Sequence, residues 1–134
     1  MAYDVLRRII GEILHSSSRY FSVIVDETTD ICTKEQVSIC LRRLNDDLQP
    51  VEEFVGLYQT ASTTGATLSN IICDVFTRFA LPTSMLRGQC YDGASNMSGS
   101  VQGVRTRIQL IQPKALYLHC FAHSLNLSVQ DAVR

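Results

Sequence analysis

Two acidic clusters contain the residue types that could do chemistry in this chain. The first cluster, Val-Asp-Glu-Thr-Thr-Asp, occupies residues 25–30, and the second, Tyr-Asp-Gly-Ala-Ser-Asn, occupies residues 91–96. Each cluster places an aspartate, Asp26 or Asp92, where a buried strand is predicted to end. Close carboxylates repel each other unless a proton or cation neutralises them. Because Mg²⁺ is held by one or two carboxylates plus substrate phosphates, the pair predicts a Mg²⁺ or Mn²⁺ site for phosphoryl transfer on nucleic acid, or its remnant.

A simpler interpretation of the same residues is structural. Asp26 is then a turn residue at a strand end, and Asp92 is a loop or N-cap aspartate. Ser95 and Asn96 could donate hydrogen bonds to a phosphate, but capping of the next helix is the favoured interpretation. Glu27 does not supply a third carboxylate, because neighbouring residues of a strand point to opposite faces of the sheet.

Hydrophobic periodicity predicts the elements that position these aspartates. The N-terminal segment is predicted to be an amphipathic helix, and the apolar run 20–25 a central strand covered on both faces. Two further strands, joined by short connections, complete an antiparallel meander. The predicted order is helix 3–15, strands 20–25, 36–44 and 51–59, a helix capped by Thr63-Thr64-Gly65 and closed by Pro82, strand 84–91, helix 98–111, strand 115–119 and helix 121–132.

The topology of these elements places both aspartates at one edge of a sheet. Connections between parallel strands are right-handed almost without exception, so the fourth strand is predicted to lie parallel to the first. The result is an α/β fold with a five-stranded mixed sheet, three antiparallel strands followed by two parallel ones, in the order 3-2-1-4-5 with flanking helices. Asp26 and Asp92 then meet at the edge where open α/β sheets bind ligands.

A second group of reactive side chains is centred on Cys120 and His123, which have the C-x-x-H spacing of half a zinc site. No second half with matched spacing is present, so closing such a site would require a distant ligand such as Cys90. A thiol nucleophile is less well supported, because nothing in the sequence indicates a lowered thiol pKa. The structural alternative is a buried strand-to-helix junction, with Cys120 and Phe121 in the core and His123 capping or lining the edge near the aspartates.

Composition limits the class of protein. The chain has 134 residues, a net charge of −1 and five cysteines. This length predicts one domain over residues 1–134, and the charge argues against bulk nucleic-acid binding, so any DNA contact must be local or metal-mediated. The odd cysteine count without CxxC supports no disulfide framework. We expect neither a signal peptide nor a membrane span. Arg87 lies at the start of the fourth strand, away from the predicted metal site.

Three motifs together resemble those of a known superfamily. Residues 25–30, residues 87–99 (Arg-Gly-Gln-Cys-Tyr-Asp-Gly-Ala-Ser-Asn-Met-Ser-Gly) and residues 119–127 (His-Cys-Phe-Ala-His-Ser-Leu-Asn-Leu) resemble the hAT superfamily of DNA transposases. They are closer still to transposon-derived, zinc-finger-associated animal proteins whose catalytic block is often described only as a domain of unknown function. The resemblance covers nearly the whole chain.

This resemblance implies a ribonuclease-H-like fold and metal-dependent cut-and-paste transposition by an Asp-Asp-Glu triad. Asp26 matches the first acidic residue and Asp92 the second, and both are the expected catalytic residues and ligands of Mg²⁺ or Mn²⁺. Cys120 and His123 match a C-x-x-H motif near the active site and are expected to support it. The family's glutamate follows a large helical insertion, which is expected to lie beyond Arg134.

We therefore expect the N-terminal part of a transposase core, an incomplete fold that lacks the third acidic residue and is inactive alone. Members of the superfamily also have a preceding zinc finger and a C-terminal dimerisation segment, and we expect neither within these 134 residues. The expected location is nuclear, with DNA as partner of the full-length protein and with protein partners or self-association in addition. The alternative is a domesticated protein- or chromatin-binding scaffold without catalysis.

Overall fold

The structure, a computed structural model, describes residues 2–134. The predicted strands and helices are present in the predicted order, with a 3-10 helix and the short helix α3 in addition. The elements are α1 (Ala2–His15), β1 (Phe21–Thr29), β2 (Glu35–Leu44), β3 (Pro50–Thr60), α2 (Gly65–Arg78), a short 3-10 helix (Thr83–Met85), β4 (Leu86–Tyr91), α3 (Ser95–Ser98), α4 (Val104–Ile111), β5 (Leu116–His119) and α5 (Phe121–Val133).

The strands form one mixed sheet in the order β3-β2-β1-β4-β5, which confirms the predicted topology. β1 pairs antiparallel with β2, and β2 pairs antiparallel with β3. β4 lies parallel to β1 on its other side, and β5 lies parallel to β4. The right-handed crossover rule gives this arrangement because a helix separates β3 from β4 and another separates β4 from β5. The sheet with its flanking helices is a ribonuclease-H-like α/β fold.

The hydrophobic core lies on one face of the sheet. Val23 and Val25 of β1 are buried on that face, and Phe21 packs edge-on against Phe76 of α2 at a ring distance of 5.6 Å. Fully burying a side chain of this kind stabilises the fold by roughly 1.5–3 kcal/mol. The helices also contribute to this core, through Ile9, Ile10 and Ile13 of α1, Leu68, Ile72, Val75 and Phe76 of α2, and Val104 and Ile108 of α4.

The other face of the sheet, called the open face below, is not covered in the same way. The residues of β1 that alternate with the core are only partly buried on this face, so the prediction of a central strand covered on both faces is wrong. Large apolar side chains on the flanking strands are exposed there: Phe54 (59%), Leu57 (54%), Leu116 (68%) and Leu118 (59%). Among the described residues, α5 contributes no buried side chain. The apolar run of β1 therefore reflects its central position and not double coverage.

Two element boundaries differ from the sequence prediction. β1 continues to Thr29, because residues 26–29 pair in register with residues 35–38 of β2, so the prediction that this strand ends at Asp26 is wrong and only Asp30 of the acidic cluster lies beyond it. The predicted helix 98–111 is shorter in the structure, because α4 begins only at Val104. The short helix α3 precedes it, and the Gly103 amide donates to the Gly99 carbonyl at 3.2 Å in the turns between the two helices. Thr64 caps α2, as predicted, by accepting from the Thr67 amide at 3.2 Å.

The C-terminal end of α2 also differs from the prediction. Pro82 was expected to close the helix, but α2 ends at Arg78, with Phe79 as its C-cap. Ala80 follows with φ of 51°, a left-handed conformation that interrupts the helical hydrogen bonding.

None of the helices within residues 2–134 has the length and apolar character needed to span a membrane.

Candidate functional site

Asp26 lies within β1 and Asp92 directly follows β4, so both lie at the same edge of the sheet, beside its central pair of parallel strands. The last residues paired between β1 and β4 are Ile24 and Cys90, and each aspartate lies two residues further along its strand direction. Because side chains alternate between faces, both aspartates are on the open face. Asp26 is exposed and Asp92 is half-buried. Both carboxylates are therefore accessible from the same side of the molecule.

The carboxylate of Asp92 has a local hydrogen bond as well. Its Oδ1 accepts from the Ala94 amide at 3.1 Å, which fixes the turn after β4. Its backbone carbonyl accepts from the Tyr117 hydroxyl at 3.2 Å. The structural interpretation of Asp92 as a loop aspartate is consistent with these contacts. Asp92 Oδ2 accepts no hydrogen bond from the described residues and can therefore bind another partner.

Glu27 lies beside this edge but on the core face. Its Oε1 accepts from the Asn96 side-chain amide at 2.7 Å, and the same Nδ2 donates to the Thr63 carbonyl at 2.8 Å. Partial burial raises the pKa of Glu27, the Asn96 hydrogen bond lowers it, and the negative charges of Asp92, Glu35 and Asp26 raise it further, with a net increase. The negative charges of the neighbouring carboxylates therefore disfavour ionisation of Glu27.

Asn96 therefore joins the ends of three elements, a role that the sequence does not reveal. The expectation that Ser95 or Asn96 caps a helix is wrong, because the N-cap of α3 is Ala94 and that of α4 is Gly103. Asn96 instead links β1, through Glu27, to the loop before α2. The bonded residues are 69 positions apart in the sequence, and no local pattern indicates such a contact.

The donor set at this edge suits a hard cation that keeps open coordination positions. Mg²⁺ and Mn²⁺ prefer oxygen ligands and take one or two carboxylates together with substrate phosphate. Asp26 and Asp92 supply two carboxylates at an accessible rim. No group of three or more His, Cys, Asp or Glu side chains arranged to hold a metal occurs among residues 2–134. The pair therefore fits a site that a substrate completes, and does not form a closed protein cage.

The Cys120 and His123 motif lies at the junction of β5 and α5, next to the turn that follows Asp92. The Cys120 amide donates to the Tyr91 carbonyl at 2.9 Å. Burial raises the pKa of the Cys90 thiol, and the neighbouring Cys120 thiol raises it further. The proximity of Cys90 agrees with the distant partner considered from the sequence, but the described residues lack the third ligand that a zinc site requires.

His119 also contributes to this junction between β5 and α5. The rings of His119 and His123 are 5.8 Å apart in a T-shaped arrangement, and His119 Nδ1 lies 2.8 Å from the Ser124 hydroxyl. A β-carbon on Gly93 would lie 3.0 Å from His119 Nε2, so the glycine allows the ring to approach the turn. Phe121 is 84% exposed, and the expectation that it belongs to the core is wrong because α5 does not pack on the sheet.

The fold defines a class of protein, the ribonuclease-like α/β domains. The chain belongs to the DUF4371 family, described as the ZMYM1/FAM200, RNase-like domain, whose model matches residues 1–103. Membership in this family supports the transposon-derived character that the sequence motifs predict.

Two curated relatives match a larger part of the chain. The mouse (Mus musculus) protein named 52 kDa repressor of the inhibitor of the protein kinase is 28% identical over 116 residues. The human (Homo sapiens) protein of the same name is 25% identical over 116 residues. In both matches 87% of this chain is covered, and the chain spans 15% of the relative's length.

Proposed function

We propose that this domain is the N-terminal part of a hAT-type transposase core, in which Asp26 and Asp92 hold Mg²⁺ or Mn²⁺ for DNA strand cleavage and transfer by the full-length protein. The observation that carries the proposal is the position of the two aspartates, which lie on one face and each two residues beyond the last residue pair of β1 and β4. The family match and the three sequence motifs support the same proposal. The relatives are much longer than this chain, so the complete activity is proposed for a longer protein.

The side chains of this domain would have distinct roles in such a site. A bound divalent cation neutralises charge on the phosphate and on the attacking and leaving oxygens. Asp26 and Asp92 would bind the cation, and the Ala94 amide would hold the Asp92 carboxylate in place. Asn96 would keep the ends of β1 and α3 together through Glu27. Cys120 and His123 would support the turn next to Asp92.

The domain alone is expected to bind metal without cleaving DNA. Glu27 faces the core side and is engaged by Asn96, so it does not act as the third carboxylate of an Asp-Asp-Glu triad. Two carboxylates can hold a cation weakly, but the triad supplies the geometry for both oxygens of the displacement. A nuclease assay on the 134-residue chain with Mn²⁺ is therefore expected to show no strand cleavage.

Titration of Mn²⁺ by calorimetry tests the site directly. The wild-type chain is expected to give a saturable heat, and Asp26→Asn and Asp92→Asn are each expected to weaken binding about tenfold or more, because each removes a charged oxygen ligand. Asp47→Asn is the matched control, since Asp47 is an exposed aspartate in the turn between β2 and β3. A wild-type chain without metal-linked heat, or an equal loss in all three variants, would contradict the proposal.

DNA binding and a nuclear location are also part of this proposal. The two relatives are named as repressors, and a transposase-derived protein acts on DNA in the nucleus. With a net charge of −1, the domain itself offers only local contacts to DNA. The remaining DNA recognition would therefore come from other parts of the longer protein.

A second candidate function is a domesticated scaffold that binds proteins or associates with itself. The specific observation in its favour is the open face, on which Phe54, Leu57, Leu116 and Leu118 are all more than half exposed. These residues form two pairs, one on each edge strand of the sheet, and exposed apolar patches on soluble domains mark interaction surfaces. In this case Asp26 and Asp92 would be remnants of a catalytic site, and the calorimetric titration would show no metal binding.

A further inference from the structure

A cleft lined by arginine and tyrosine side chains lies at the end of the sheet opposite Asp26 and Asp92. It has a volume of about 300 Å³ and is formed where β1, β3 and β4 begin and β2 ends. This cleft, called the cationic cleft below, is lined by Tyr20, Ser22, Arg42 and Arg87, among others. None of these residues belongs to the part of the sheet that carries Asp26 and Asp92, called the carboxylate edge below.

Arg87 provides a positioned positive charge in the cationic cleft. Its guanidinium carbon lies 4.3 Å from the centre of the Tyr20 ring. Its Nη1 donates to the carbonyls of Ser84 at 2.7 Å and Leu86 at 3.0 Å, which orients the guanidinium group. No carboxylate of residues 2–134 forms an ion pair with Arg87. The charge is therefore held in place but not neutralised by the protein.

Arg42 and Ser22 face each other across β1 and β2 in the same cleft. Arg42 forms one ion pair, with Glu52 at 3.4 Å, and both side chains of that pair are about half exposed, at 53% and 55%. Exposed pairs of this kind contribute little free energy, so the arginine can exchange its partner for an anionic ligand. A β-carbon on Gly88 would lie 2.5 Å from the Ser22 hydroxyl oxygen, so Gly88 leaves room for that hydroxyl.

An aromatic ring beside two arginines, one without a carboxylate partner and one in an exposed ion pair, matches the chemistry that binds single-stranded nucleic acid. Arg87 lies over one face of the Tyr20 ring, and the 51% exposure of this residue leaves the other face for a base to stack on, while arginines bind phosphates through charged hydrogen bonds. A volume of about 300 Å³ suits a nucleotide and not a duplex. We propose that the cationic cleft binds single-stranded nucleic acid, with a base stacked on Tyr20 and the adjoining phosphates bound by Arg42 and Arg87.

The open face connects this cleft to the carboxylate edge. Ser22 and Asp26 lie on the same face of β1, and four residues of a strand span about 13 Å. A single strand that lies along β1 therefore reaches from the cationic cleft to the two aspartates. The inference extends the proposed function by locating where the unpaired strand is held, but binding in the cleft does not require the metal site.

Fluorescence anisotropy with a labelled oligothymidine tests the inference, using the 134-residue chain in EDTA so that the carboxylate edge cannot contribute through a metal. The wild-type chain is expected to bind the oligonucleotide in a salt-dependent manner. Tyr20→Ala is expected to weaken binding about tenfold, since stacking on an aromatic side chain is lost. Arg42→Gln and Arg87→Gln are each expected to reduce the slope of log K against log salt by about 0.7.

A matched pair on α1 controls for these substitutions. Tyr3 is 71% exposed, and the Arg7 guanidinium lies 5.8 Å from its ring centre, so Tyr3→Ala and Arg7→Gln remove the same groups outside the cleft. Both controls are expected to bind like the wild type, and Tyr20→Phe is expected to retain binding because the ring remains. Circular dichroism shows whether each variant is folded. Arg42→Gln is not expected to disturb the core, because the Arg42 side chain is half exposed.

Several results would overturn the inference. These are the absence of binding by the wild-type chain, equal effects in the cleft and control variants, or binding that disappears in EDTA and therefore belongs to the carboxylate edge. Tighter binding of duplex than of single strand, or complete displacement by inorganic phosphate at the oligonucleotide concentration, would likewise reject base stacking in the cleft. The calorimetric titration of Mn²⁺ is independent of these outcomes.

Discussion

Glu27 is the acidic residue at the sheet edge whose ionisation is coupled to the fold. It is partly buried on the core face, beside Asn96, and close enough to Asp26 and Asp92 for their charges to disfavour its own. The pKa of Glu27 is therefore raised above the ordinary value of 4.5, mainly by burial. A glutamate with these properties makes the stability of the edge dependent on pH.

The substitution Glu27→Gln tests this coupling. Because the folded state binds the proton more tightly than the unfolded state, the favourable contribution of protonated Glu27 is complete below pH 4.5 and is lost as pH rises through the raised folded pKa. Glutamine stays neutral and can still accept from Asn96. We expect the variant to be more stable than the wild type at pH 7, by about 0.5 kcal/mol or less because solvent screens the site, and equally stable near pH 4.

Urea denaturation at several pH values measures this difference. Asp131→Asn is the control, since Asp131 is an exposed carboxylate near the C-terminus with 77% of its side chain accessible. The control is expected to give a difference that does not change with pH. A Glu27→Gln variant that follows the wild-type pH dependence throughout would show that the ionisation of Glu27 is not coupled to folding.

At the level of single residues, the sequence predicts the two aspartates of the candidate site but not the hydrogen bonds around them. Asp26 and Asp92 can be selected because each follows a recognisable apolar run, and right-handed topology brings the two strands together. The contact of Asn96 with Glu27 cannot be selected, because it depends on how a loop folds against a strand far away in the sequence. The exposure of Phe121 is missed because an apolar side chain near a strand end is usually buried.

The helices and strands position the edge through close backbone contacts, most clearly at the start of α2. A β-carbon on Gly65 would lie 2.2 Å from the Gln102 carbonyl oxygen and 3.0 Å from that of Asn96. The start of α2 therefore packs directly against the segment that connects α3 to α4. This contact holds in place the residue that bonds Glu27.

Gly65→Ala is therefore expected to destabilise the domain by about 2–3 kcal/mol, because backbone atoms must move apart to admit the methyl group. Gly11→Ala on α1 is the matched control, as nothing lies within 4 Å of its added β-carbon. The control is expected to stabilise the domain by about 0.5–1 kcal/mol, since alanine is a better helix former than glycine. Thermal denaturation followed by circular dichroism measures both, and equal effects of the two substitutions would contradict the close contact.

The elements themselves are largely predictable, whereas their ends are not. The periodicity of apolar residues identifies α1, α2 and the strands within a few residues of their bounds. β1 extends further than its apolar run because β2 offers hydrogen-bonding partners as far as Thr29. The predicted helix 98–111 begins later, at Val104, because Gly99 and Gly103 permit a tight turn that packs on α2. Both differences arise from contacts between distant segments, which local patterns do not contain.

At the scale of the whole molecule, the fold is asymmetric. One face of the sheet carries the core with α1, α2 and α4, and the open face carries exposed apolar side chains together with the carboxylate edge and the cationic cleft. The strand order could be predicted because handedness restricts the connections. The coverage of each face could not be predicted, because a strand has the same apolar sequence whether or not a second layer of structure covers it.

Self-association through the open face is the expected consequence of this asymmetry. Burying a leucine or phenylalanine side chain in an interface contributes roughly 1.5–3 kcal/mol before the cost of association, and the two edge strands, β3 and β5, each expose two such side chains on this face. Sedimentation velocity over a wide concentration range is expected to show a reversible shift from monomer to dimer. Phe54→Ser and Leu118→Ser are each expected to weaken the dimer about tenfold or more, because each removes exposed apolar surface from the contact.

Ile31→Ser separates this effect from a general change in hydrophobicity. Ile31 is fully exposed, at 104%, and lies in the hairpin turn after β1, outside the open face. This control should therefore dimerise like the wild type. A chain that stays monomeric at every concentration, or a control that weakens the dimer as much as Leu118→Ser, would remove the support that the open face gives to a scaffold function and would leave the two aspartates as the principal functional feature of the domain.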